Sequence, residues 1–106
     1  MPTLLTLDTA PRDNGELVLT AAGEIDLSNI DAFTQALTSA IAENGDSGEP
    51  LTVDLSAVEY LDSAAINALF THADEIRLIA GPLLMRVFNI SGLTELAAVE
   101  AAPPLA

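Results

Sequence analysis

The sequence predicts an α/β fold, a mixed central β-sheet of about 4–5 strands with about 3–4 helices. Three observations carry that expectation. Short β-type runs alternate along the chain with runs whose apolar residues recur at helical spacing. Half of the residues are hydrophobic, enough for a real core despite a net charge of −13. The 106 residues suit one small domain, read as 1–106, with a core over about 4–99 and a flexible tail over 100–106.

Two β-type runs come first, roughly 3–8 and 16–22. Asn14-Gly15 lies between them, and both residues tolerate the positive φ of a tight turn, so the two strands are expected to be antiparallel. Helical spacing follows. Ile30, Phe33, Leu37 and Ile41 form one stripe with Ala36 and Ala40 beside it, and Ser28 with Asp31 has the spacing of a capping box. "NGDSGEP" at 44–50 is a loop, and "LTVDL" at 51–55 reads as a short central strand ended by "SAVEYLD".

From Ser63, residues Ile66, Leu69, Phe70 and Ala73 mark the buried face of a second helix. The same arithmetic sets Ser63, Asn67, Thr71 and Asp74 on its wet face. Either Asp62 or Ser63 can cap that helix. "IRLIAG" at 76–81 reads as a strand, Pro82 opens a third helix, and Gly92 ends it. That helix is apolar on more than one face, so Leu83 or Met85 is expected to stand exposed. A last short strand is placed at 96–100, before a frayed "APPLA" end.

Charge narrows the function. The cations are Arg12, Arg77 and Arg86, and there is no lysine. Nucleic acid and anionic membrane surfaces both need clustered Lys and Arg, so neither is an expected partner. A basic or mixed-charge protein surface is the natural complement. With no cysteine, a disulfide framework, a thiolate zinc site and a cysteine nucleophile are excluded. The start of the chain has no basic, then apolar, leader pattern, and "LIAGPLLMRVF" is too short and interrupted to span a bilayer. A cytoplasmic location is the expectation.

No catalytic constellation emerges. His72 has no serine at a triad spacing, Asp54 lacks the lysine that a receiver-type phospho-aspartate site needs, and no Walker or G-x-G-x-x-G loop is present. The chain is therefore read as a non-enzyme, with no cofactor and no metal.

Three stretches resemble the STAS domain family of anti-sigma factor antagonists. "AAGEIDLSN" at 21–29 is similar to that family's strand-end turn into its first helix. "LTVDLSAVEYLDSAAINAL" at 51–69 matches its strand, Asp-Leu-Ser, loop and Asp-Ser helix start, and "RVFNISGLTEL" at 86–96 resembles its third helix. The resemblance implies that a partner kinase phosphorylates Ser63, with Asp62 and Asp26 as the adjoining acidic residues. It implies a partner-binding face of Asp26, Ser28, Asn29, Asp62, Ser63, Ala64, Ala65 and Asn67. The unphosphorylated protein would bind an anti-sigma factor with serine-kinase activity and so release a sigma factor for transcription. Phosphorylation would end that binding, and a serine phosphatase would restore it. The alternative is a STAS scaffold or small-ligand sensor within a larger signalling complex, with Ser63 unmodified.

The chain departs from the family at Ala64 and Ala65, where a second hydroxyl and a glycine are usual. Ser63 is thereby left as the acceptor in the motif, and the Ala65 methyl is expected to stand where a partner comes close. The stretch between Ser63 and the "IRLIAG" strand is short for the family, so a curtailed second helix is expected.

Overall fold

The computed structural model describes residues 4–11, 16–45, 48–93 and 97–101. The expected Asn14-Gly15 turn and the "APPLA" end lie outside them, as does part of the 44–50 loop. In chain order the elements are β1 (Leu5–Pro11), β2 (Leu17–Ile25), α1 (Ile30–Asn44), β3 (Leu51–Leu61), α2 (Ser63–Thr71), a 3-10 turn (Ala73–Glu75), β4 (Ile76–Ala80), α3 (Pro82–Ser91) and β5 (Ala98–Ala101).

The five strands form one mixed sheet in the order β1-β2-β3-β4-β5. β1 and β2 are antiparallel, and β2 to β5 run parallel. Each parallel step needs a crossover, and α1, α2 and α3 supply the three. Because such crossovers are right-handed and the strands advance in one direction, all three helices fall on the same face of the sheet. The core forms there. Leu19, Val53 and Leu78 lie side by side in the sheet, fully buried in one cluster with Phe33 and Leu37 of α1, Leu69 of α2 and Phe88 of α3.

Successive strand residues point to opposite faces, so the neighbouring row, Val18, Thr52, Arg77 and Ala98, faces away from the helices. Thr52 is a buried polar residue at 1% exposure, and its partners explain why it is tolerated. Its hydroxyl donates to Glu16 Oε1 at 2.5 Å, and Arg77 Nη2 donates to the same oxygen at 2.6 Å. Arg77 is thus engaged by Glu16 on the helix-free face of the sheet, and Arg86 stands exposed on α3 without an ion-pair partner among the described residues.

Four local expectations are corrected. The strand predicted to stop at Leu55 runs on to Leu61, because β2 continues to Ile25 and pairs with it through two register shifts. "SAVEY", of which Val58 and Tyr60 favour strands, is held in β3 by that pairing. The last strand, expected at 96–100, is Ala98–Ala101, so Ala101, placed in the tail by the sequence, pairs with Ala80. Ser28 and Asp31 make no capping box: the N-cap of α1 is Asn29, which makes no side-chain cap bond. The Ser28 hydroxyl donates instead to Asp26 Oδ1 at 2.5 Å, which removes it from the helix terminus. On α2, Ala65 joins Leu69 in the core, while Ile66 and Phe70 are only partly buried.

The second helix is short, as expected, and passes through His72 into the 3-10 turn. α3 begins with Pro82 at its first turn and ends at Gly92, whose φ of 86° is the left-handed cap that glycine adopts without strain.

Candidate functional site

The site lies where β2 and β3 leave the sheet. These strands are parallel, and Ile25 is the register partner of Leu61, so the Asp26–Asn29 turn and the Asp62–Ser63 turn emerge at the same edge. The Asp62 amide N–H donates to the Ile25 carbonyl at 3.1 Å, which extends the pairing into the turn itself.

Asp62 is the N-cap of α2, settling which of the two residues caps it. Its Oδ1 accepts the N–H groups of Ala64 at 3.0 Å and Ala65 at 3.1 Å. Its other oxygen, Oδ2, accepts the Leu27 N–H at 3.1 Å. One carboxylate therefore starts the helix and fastens the neighbouring turn to it, across 35 residues of sequence. This use of a negative group suits the positive end of the helix dipole.

The Asp26 turn is also held from within. Asp26 Oδ1 accepts from the Ser28 backbone at 2.9 Å and from the Ser28 hydroxyl. Asn29 Oδ1 accepts the Asp26 N–H at 3.0 Å, and Asn29 Nδ2 donates to the Glu24 carbonyl at 2.9 Å. A loop bonded this fully is already ordered, and an ordered loop loses less free energy in any binding event.

Ser63 is exposed at the first position of α2, and its hydroxyl makes no hydrogen bond among the described residues. Asn67, one turn on, is exposed, and Ala64 is half-buried. Asp26, Ser28, Asn29, Asp62, Ser63, Ala64 and Asn67 thus lie at one edge of the sheet. Ala65 does not join that surface: it is fully buried at 0% exposure, its methyl turned into the core beneath α2. The expectation that this methyl faces a partner is overturned by the helical phase set when Asp62 caps. Ala65→Gly removes a buried methyl and a better helix former, costing about 1–2 kcal/mol. We expect a lower thermal midpoint for this variant, with partner binding by calorimetry unchanged.

Leu27 was not singled out by sequence reasoning. It stands 77% exposed between Asp26 and Ser28, while its backbone is the group that Asp62 holds. The one signal in the sequence is a leucine inside the otherwise polar turn "DLSN". Asp54 and His72 take local roles: Asp54 Oδ1 accepts from Ser56 N at 2.9 Å, and His72 Nδ1 meets Glu75 Oε2 at 3.1 Å. Among the described residues no cluster of His, Cys, Asp and Glu is arranged to hold a metal ion, and no helix is long and apolar enough to cross a membrane.

Comparison with known proteins places the fold among characterised relatives. Over 75 residues, 71% of this chain, the sequence is 36% identical to the anti-sigma-F factor antagonist RsfB of Mycobacterium tuberculosis. The chain spans 58% of the length of that relative. The crystal structure of an anti-sigma factor antagonist from Mycobacterium paratuberculosis superposes with a TM-score of 0.78 at 30% identity, covering 96% of this chain and 88% of that one. The Bacillus cell fate determinant SpoIIAA in its phosphorylated form has a TM-score of 0.64 at 16% identity, covering 92% of each chain, a likeness of fold alone. The sequence profile of the STAS domain matches residues 8–98. The chain belongs to the STAS domain family.

Proposed function

We propose that this protein is an anti-sigma factor antagonist, a binding module without catalytic activity that is switched by phosphorylation at Ser63. In its unphosphorylated form it binds an anti-sigma factor with serine-kinase activity in the cytoplasm and releases a sigma factor for transcription. Phosphorylation of Ser63 ends the binding, and a serine phosphatase restores it. The observation that carries this reading is the exposed Ser63 hydroxyl beside a turn that Asp62 holds in place. The similarity to mycobacterial antagonists supports the class of partner.

The chemistry of the switch follows from the cap. A phosphate at a helix N-terminus can be neutralised by free N–H groups. Here the Asp62 carboxylate already accepts those of Ala64 and Ala65. A phosphate on Ser63 therefore adds about −1.5 to −2 charges next to an existing carboxylate, at the surface and largely uncompensated. The fold need not change. The docking face turns from a polar, mildly acidic surface into a strongly anionic one.

Incubation with the partner kinase and ATP should add one phosphate per chain by intact mass, because Ala64 offers no second hydroxyl. Ser63→Ala should bind the anti-sigma factor as the parent does. Ser63→Glu should bind it at least ~30-fold more weakly, the result of roughly 2 kcal/mol of like-charge and desolvation cost at an interface. Equal binding of the two variants in calorimetry would overturn the switch.

A further inference from the structure

β3 is longer than the strand beside it. It runs from Leu51 to Leu61, but β4 pairs only with Leu51–Leu55 before the chain turns at Gly81 into α3. Beyond Leu55 the strand pairs with β2 on one side, and among the described residues no strand lies on the other. Residues 56–61 thus form an open edge inside the sheet, about 20 Å long at the usual rise of a strand. A groove of about 390 Å³ lies between this overhang and the first turn of α3, lined by Ser56, Val58, Glu59, Gly81, Leu83 and Leu84. Leu83 in its lining is 71% exposed, and Tyr60, farther along the overhang, is 52% exposed.

An open strand edge next to an apolar groove is the arrangement that accepts an extended peptide, with main-chain hydrogen bonds for affinity and a groove for side chains. Natural proteins commonly cover or charge such edges, and here Glu59 supplies an acidic rim. With a net charge of −13, the molecule repels a second copy of itself and attracts cationic segments. We propose that residues 56–61 and the start of α3 form a second docking site, which takes an extended segment of a protein partner by strand addition, in line with β4, and that this segment alternates apolar residues with Lys or Arg. The site ends one residue before Asp62, so a single partner can engage both surfaces, but strand addition does not depend on phosphorylation of Ser63.

The probe is a capped hexapeptide alternating valine with lysine, titrated into isotope-labelled protein and followed by amide chemical shifts. Changes should concentrate on residues 56–61 and 81–84. Leu83→Asp and Glu59→Lys, both at exposed positions, should each weaken the peptide at least tenfold, and the matching valine–glutamate peptide should not bind. Ser63→Glu should leave the shifts on residues 56–61 and 81–84 in place and should not weaken the peptide, which separates this site from the Ser63 switch. Three outcomes would overturn the proposal: shifts centred on the outer edges β1 or β5, equal binding of the acidic peptide, or a dimer forming through this edge at micromolar concentration.

Discussion

Asp62→Ala is expected to abolish anti-sigma factor binding and to destabilise the domain together. Loss of an N-cap carboxylate costs about 1 kcal/mol, within a range of roughly 0.5–2. The same side chain accepts the Leu27 N–H, and the loss of a bond to a charged acceptor at a partly exposed site adds about 1 kcal/mol. Roughly 2 kcal/mol out of a total of about 5–15 is a large share for a small domain. The functional loss should exceed the loss of stability, because the Asp26–Asn29 turn, still closed by its own bonds, loses the bond that fixes its position against the head of α2. Asp62→Asn separates the contributions: its one carbonyl oxygen can accept for the cap or for Leu27, but its NH₂ group cannot accept. We expect the Asp62→Asn variant to recover most of the thermal midpoint and little of the binding. If Asp62→Ala bound the anti-sigma factor as tightly as the parent at a temperature where both are folded, Asp62 would not hold the docking face.

Gly23→Ala should be the more damaging change to the fold. Gly23 has a φ of 109°, a region that residues with a Cβ rarely occupy, and it pairs with Leu5 of β1 and Val58 of β3. A Cβ built there would lie 2.3 Å from the Leu4 carbonyl oxygen, which accepts the Glu24 N–H at 3.1 Å. The atom in the way is backbone, so β1 must shift or the Leu4–Glu24 bond must break. Backbone strain of about 1–3 kcal/mol and a similar cost of overpacking combine to about 4 kcal/mol. The consequence reaches the site, since the Glu24 carbonyl next along the chain is the acceptor for Asn29. Chemical denaturation of the alanine variant should show a much lower midpoint, and amide exchange of residues 24–29 should accelerate. An unchanged midpoint would mean that the strand absorbs the methyl without strain.

Much of the molecule is written in local patterns. The α1 stripe from Ile30 to Ile41, the wet face of α2, Pro82 and Gly92 at the two ends of α3, and the α/β alternation all follow from periodicity and capping chemistry. The Asp-Ser motif pointed to Ser63, and its exposure at the head of α2 is what helical phase requires once Asp62 is the cap.

The tertiary structure decided what pairing and register control. Strand β3 extends to Leu61 because β2 is there to bond it; Val58 and Tyr60 favour a strand, but among Ser56, Ala57 and Glu59 they do not announce one. The overhang past β4 has the same origin, since strand length is read from neighbours and not from the strand's own residues. Ala65 lies in the core because the helix begins one residue after Asp62, and a shift of one position turns the helix by about 100°. Leu27 reaches the sheet edge that carries Ser63, and Asp62 reaches Leu27, because parallel strands bring their ends together across 35 residues. Sequence patterns record the chemistry of each segment with its own neighbours in the chain; contacts between distant segments depend on sheet register, which forms only when the chain folds.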